Sequence, residues 1–118
     1  MTKPLALVIE DDPQLNKIYS ISLRNDFEVE SCVDGGEALT RLAEIVPDVV
    51  VLDINLPGAS GVEILAHIRA DTRLAKTKVI ISSANERIAE ELDDKADLVL
   101  LKPVSPRQLS ELAARFKP

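Results

Sequence analysis

The sequence predicts an α/β fold: a doubly wound, five-stranded parallel sheet in the order 2-1-3-4-5, with helices on both faces. Three observations predict it. Four short, nearly continuous apolar runs recur along the chain, as expected of strands covered on both faces. Between them lie segments with helix-start signals. A fifth run alternates, as an edge strand with one wet face does. Helical crossovers make the strands parallel and the connections right-handed, so helices must cover both faces of the sheet. An edge-like second strand places the switch point between strands 1 and 3.

The elements follow in order. LALVI at 5–9 is the first apolar run, and Pro13 directly after Asp12 opens the first helix. Asp12 can cap that helix, and a proline at the first helical position loses no useful N–H. FEVESCV at 27–33 alternates, with Phe27, Val29 and Val33 on one side and Glu28 and Glu30 on the other. Cys32 falls on the glutamate side and is assigned no role. Asp34 with Glu37, Ser60 with Glu63 and Ser105 with Gln108 have the spacing of capping boxes, so helices start there. Gly35 and Gly36 serve a turn, since no GxGxxG or Walker pattern surrounds them. VVVL at 49–52, VII at 79–81 and LVLL at 98–101 supply the remaining strands. In the last helix Leu109, Leu112, Ala113 and Phe116 fall at i, i+3, i+4 and i+7, one apolar stripe.

Composition narrows the function classes. The 118 residues are enough for one domain, expected to span 1–118, with a core that needs no disulfide or metal staple. A net charge of −6 and 3% aromatic residues argue against direct nucleic-acid binding, which needs basic surfaces and stacking rings. One cysteine excludes a disulfide framework and a cysteine-rich zinc site. The N-terminal MTKPLALVIEDD lacks the features of a signal peptide, and no run approaches the roughly 20 apolar residues of a membrane span. The expectation is a cytoplasmic protein with no membrane partner.

Parallel strands present their C-terminal ends at one edge, where open α/β sheets bind ligands. Strand 1 ends in Glu10, Asp11 and Asp12, strand 3 in Asp53, strand 4 in Ser82 and Ser83, and strand 5 in Lys102 before Pro103. Ionised carboxylates crowded at ~5 Å repel by about 3 kcal/mol per pair at an effective dielectric near 20. Such a cluster either raises the pKa of a member or binds a cation. Hard oxygen donors with no nearby His or Cys set favour Mg²⁺ over zinc. Lys102 and the Ser83 hydroxyl complete a phosphoryl site, in which a carboxylate can be the nucleophile. Asp53 is the candidate, because it stands alone on the middle strand between the acidic cluster and the lysine.

VIEDDP, VVVLDINLPGASG, IISSA and LLKPVSP resemble the receiver domain of two-component response regulators, in the family's order and over essentially the whole chain. The resemblance implies that Asp53 is the phosphoacceptor, charged by the phosphohistidine of a sensor histidine kinase or phosphotransfer protein, or by a small acyl phosphate. It implies Mg²⁺ as cofactor, with Asp11 and Asp53 as ligands, Glu10 acting through a water and the backbone carbonyl of Asn55 supplying another donor. Ser83 and Lys102 would contact the phosphoryl group, and the Lys102–Pro103 peptide would be cis. The output would be a changed protein–protein contact with a downstream protein or fused output domain, not turnover of a substrate. With Pro118 just after the last helix, the expectation is a stand-alone relay or a receiver excised from a longer protein.

The sequence departs from the family pattern in two places. Val99 stands where the family usually carries Tyr or Phe, and ANERIAEELDDKAD at 84–97 is about one helical turn short. The short fourth helix is strongly acidic, through Glu86, Glu90, Glu91, Asp93 and Asp94, and is read as a solvated face. Val99 keeps open a pseudo-receiver that docks without phosphate. A small Mg²⁺-dependent aspartyl phosphatase is disfavoured, because its general acid would fall at Asn55, which cannot exchange the proton. Asn55 and Asn85 lie where the family tunes access of the hydrolytic water, and their amides predict a phosphate lasting seconds to minutes. His67, the only histidine, is placed on the surface of the third helix.

Overall fold

The computed structural model describes residues 3–118. Five strands, β1 (Leu5–Ile9), β2 (Glu28–Cys32), β3 (Val49–Asp53), β4 (Lys78–Ser83) and β5 (Leu98–Leu101), alternate with five helices. These are α1 (Pro13–Leu23), α2 (Gly35–Leu42), α3 (Gly61–Ala70), α4 (Glu86–Leu92) and α5 (Pro106–Ala114), and a 3₁₀ turn at Thr72–Leu74 precedes β4. All strand pairs are parallel and the order is β2-β1-β3-β4-β5, as the edge-like pattern of the second strand predicts.

Each helix starts where its capping residue stands. The carboxylate of Asp12 accepts from the N–H groups of Gln14 and Leu15, and that of Asp34 accepts from Glu37. The Ser60 and Ser105 hydroxyls accept from Glu63 and Gln108. Each bond satisfies a donor that the first helical turn leaves orphaned, worth about 1 kcal/mol.

Alternation along the strands splits the core into two layers. Leu7, Ile9, Val50, Leu52, Val79 and Ile81 pack under α2, α3 and α4. Ala6, Val8, Val49, Val51 and Ile80 face α1 and α5, whose Tyr19, Leu23, Leu109 and Ala113 close that side. The central strand β3 is buried along its whole length, Asp53 included.

The edge strand corrects one expectation. The side carrying Glu28, Glu30 and Cys32 is not simply the wet one, because α2 lies over its C-terminal half. Cys32 is buried among Ile9, Ala38 and Leu42, and Glu30 is half-buried in an ion pair with Arg41 at 2.7 Å. Val33, assigned to the apolar side, lies beyond the strand and is exposed. The covering helix overrides the period-2 pattern once the chain leaves the ladder.

Asp97 fastens the opposite edge of the sheet to its flank. Its Oδ2 accepts from the Val79 N–H at 2.7 Å and from Arg69 Nη2 at 2.9 Å. Burial alone would raise the Asp97 pKa, but the Val79 N–H and the Arg69 guanidinium more than offset it and hold the carboxyl below its ordinary value.

Candidate functional site

The C-terminal ends of β1, β3 and β5 lie at one edge of the sheet, and three carboxylates and one ammonium converge there. Glu10, Asp11 and Asp53 each present a carboxylate oxygen, and all three oxygens lie within 4.8 Å of one another. The Lys102 ammonium lies 3.0 Å from Glu10 Oε1 and 3.3 Å from Asp53 Oδ2. Glu10 and Asp53 are 1% and 3% exposed, whereas Asp11 is open to solvent. Two buried carboxylates thus share one ammonium, and the third faces outward.

Backbone geometry fixes each side chain. The Lys102 N–H donates to the Ser83 carbonyl at 2.8 Å, and the Lys102–Pro103 peptide is cis, as the family resemblance implies. The Asp53 side chain is held by the Asn55 N–H, which donates to Oδ1 at 3.2 Å. The start of α3 presses directly on the end of β3. A Cβ on Gly61 would sit 2.5 Å from Ile54 Cα and 2.7 Å from the Asp53 carbonyl oxygen, so this contact admits only glycine. Gly58, at φ +78°, turns the intervening loop through the left-handed region.

The charges are tuned by burial. Desolvation, reinforced by Asp53 alongside, pushes the Glu10 carboxyl up to about 7 against the opposing pull of Lys102 and the Asp12 N–H. For Lys102, burial alone would lower the pKa. The hydrogen bond to Glu10 and the charge of Asp53 outweigh it, and the ammonium is held above its ordinary value.

Ser83 is fully buried, but its hydroxyl is turned to the following loop. It accepts from the Asn85 N–H at 3.0 Å and donates to the Asn85 carbonyl at 3.2 Å. Asn55 is exposed beside Asp53, and the side-chain oxygen of Asn85 caps α4 through the Arg87 and Ile88 N–H groups. Val99 is half-buried against the α4 layer, and His67 is exposed on α3.

One contributor escapes a reading of strand ends. Asn16 is buried on α1, and its Nδ2 donates to the Glu10 and Cys32 carbonyls at 3.0 Å each, tying the ends of β1 and β2 together. Its signal lies in spacing: Asn16, Tyr19, Ser20 and Leu23 form the buried stripe of α1, and three of the four are polar.

A parallel α/β sheet with a carboxylate cluster and a lysine at its switch point defines the class to which this chain belongs: a doubly wound domain with an acidic cleft at the C-terminal edge of its sheet. More narrowly, the chain belongs to the response regulator receiver domain family, which its sequence matches over residues 6–114. It is 34% identical over 113 residues to the DNA-binding response regulator MtrA of Mycolicibacterium smegmatis, covering 94% of this chain and 50% of that protein. It is 39% identical over 120 residues to the transcriptional regulatory protein PrrA of Mycobacterium tuberculosis, covering 99% and 50%. The chain therefore spans about half the length of the curated relatives it matches. Among solved structures it is similar to the chemotaxis response regulator CheY4 of Vibrio cholerae, with TM-score 0.88 and 25% identity over 98% of this chain and 99% of that one. The response regulator TrrA of Thermotoga maritima in complex with Mg²⁺ and beryllium fluoride gives TM-score 0.84 and 27% identity over 98% and 99%. Among the described residues no helix is long and apolar enough to cross a membrane.

Proposed function

We propose that residues 1–118 act as one receiver unit that accepts a phosphoryl group on Asp53 and passes the change on through protein contacts. The observation that carries this is the convergence of Glu10, Asp11 and Asp53 oxygens within 4.8 Å, with Lys102 closing the cluster 3.3 Å from Asp53. The donors are phosphohistidine on a sensor histidine kinase or phosphotransfer protein, or a small acyl phosphate. The recipient is a downstream output protein or a fused output domain.

The donor set fits Mg²⁺: three hard carboxylate oxygens, one of them solvent-facing, with no nitrogen or sulfur ligand among them. Glu10, Asp11 and Asp53, with the Asn55 carbonyl, would hold the ion, which supplies charge neutralisation to the transferring phosphoryl oxygens. The protein groups supply the rest. An Asp53 carboxylate oxygen attacks phosphorus, the new O–P bond forms as the N–P bond to the donor imidazole breaks, and the electron pair leaves on the imidazole nitrogen. Lys102 is already charged and aimed at Asp53, so it meets the incoming phosphoryl oxygens without reorganising. Ser83 reaches them only by giving up its bonds to the Asn85 backbone, which couples arrival of the phosphoryl group to the loop that starts α4.

The test is intact-mass spectrometry after incubation with acetyl phosphate or phosphoramidate and Mg²⁺. Wild type is expected to gain about 80 Da, the mass of one phosphoryl group. Asp53→Asn, and wild type in chelator, are expected to gain nothing. No adduct on wild type, with beryllofluoride also failing to bind, would leave a fold used only for docking.

A further inference from the structure

Two hydroxyls behind the site have no role in the reading above. Tyr19 and Ser82 are 1% and 2% exposed, and neither Tyr19 Oη nor Ser82 Oγ has a hydrogen-bond partner among the described residues. No other buried side-chain polar atom there is left unpaired. Both belong to the same side of the sheet. Ser82 is the register partner of Asp53, so the two side chains project from one face, the face that α1 and α5 cover. Tyr19 packs in that layer with Val51, Ile80 and Val104. Its phenol is raised first by burial, and the charges that act on it next are Lys102, Glu10 and Asp53, so it lies within the field of the site. Phe and Val would fill these places with no unpaired hydroxyl, which makes a polar pair here costly in the resting state.

We propose that Tyr19 and Ser82 are positioning residues for the phosphorylated state. Lys102 carries three N–H donors and in the resting structure aims at Glu10 and Asp53. When it leaves Glu10 to follow the phosphoryl oxygens, the Tyr19 hydroxyl accepts from its buried side. The Ser82 hydroxyl donates to the acyl oxygen that phospho-Asp53 keeps on that face. Groups unpaired at rest and paired after transfer shift the equilibrium toward the phosphorylated form. This inference rests on Asp53 as phosphoacceptor.

Beryllofluoride stands in for the phosphoryl group on the aspartate oxygen and lets binding be read without turnover. The test measures its affinity in Mg²⁺ by calorimetry for wild type, Tyr19→Phe, Ser82→Ala and Ser82→Thr, alongside the urea midpoint of each ligand-free protein. Because Tyr19 is the only tyrosine and there is no tryptophan, wild-type emission reports on this hydroxyl directly. Tyr19→Phe and Ser82→Ala are expected to bind about tenfold more weakly. Their ligand-free midpoints should be unchanged or higher, Ser82→Thr should restore affinity, and wild-type emission should change on binding. Affinities within about twofold of wild type for both variants, or equal losses in Ser82→Thr and Ser82→Ala, would overturn the proposal. If wild type binds no beryllofluoride, the phosphoacceptor reading itself fails and this inference falls with it.

Discussion

Glu10 should make the resting protein less stable at neutral pH than in mild acid. The carboxyl is 1% exposed and titrates at about 7 in the folded chain, against 4.5 for the ordinary side chain. Between those values the folded state keeps a proton that the unfolded state has released, so stability falls as pH rises through the window and levels off above it. A rise from 4.5 to about 7, at about 1.4 kcal/mol per pH unit, amounts to about 3–4 kcal/mol in full, a substantial share of a small domain's stability. Glu10→Gln replaces the carboxyl with a neutral group of the same shape, and its amide oxygen can still accept from Lys102. In urea unfolding followed by far-ultraviolet circular dichroism, with chelator present, the variant is expected to match wild type near pH 5. By pH 8 it should exceed wild type by about 3 kcal/mol, a midpoint shift of about 1–2 M urea. The same variant should lose phosphoryl acceptance, since the charge that destabilises the fold is the one the reaction uses. A difference between variant and wild type that stays flat from pH 5 to pH 8, or a variant less stable at pH 8, would refute the reasoning.

Three further outcomes follow from the same geometry. Stabilisation of wild type by Mg²⁺ in a thermal melt should grow from pH 6 to pH 8, because ligation needs Glu10 ionised, and a shift of constant size would count against these residues as the site. Gly61→Ala forces a methyl against the Ile54 and Asp53 backbone and should lower the unfolding free energy by about 2 kcal/mol. It should also slow phosphorylation by displacing Asp53, and a variant normal in both respects would contradict the close contact. Asp97→Ala leaves the Val79 N–H and the Arg69 guanidinium without their acceptor and should cost about 2 kcal/mol at pH 7. Since the Asp97 pKa is lowered in the fold, that contribution disappears as pH falls through the carboxylate range. The gap between Asp97→Ala and wild type in urea should therefore close in acid; a gap that persists there would be inconsistent with it.

Strand ends and helix starts were legible in the residues because they rest on local chemistry. A run such as VVVL ending on Asp53, or Ser60 three residues before Glu63, carries its own reason, and parallel topology then brings Glu10, Asp53 and Lys102 to one edge. Side-chain direction is another matter. Glu10 and Asp11 are neighbours of nearly equal chemistry, yet one is buried and the other exposed, a difference set just beyond the end of β1 where no strand pattern reads it. The turn of the Ser83 hydroxyl toward Asn85 depends on a loop conformation that no spacing announces. Cys32 and Val33 exchange their expected environments because α2 covers the end of an edge strand. Asn16 and Tyr19 were hidden for a related reason: each is an inward polar residue, visible only once the helix register shows which face is the core.

The contact between Lys102 and Glu10 joins residues 92 positions apart. Its two halves therefore follow the first and the last strands of the sheet, and synthesis delivers them at different times. A nascent chain that has emerged only as far as β4 carries every carboxylate of the cleft and none of its counter-charge. Such an intermediate presents self-repelling acids with no ammonium to offset them. Because non-local pairings of this reach form late, the charges of the cleft are brought together only once β5 has docked against β4. The ammonium that closes the cleft thus comes just after the last strand of the sheet to be made.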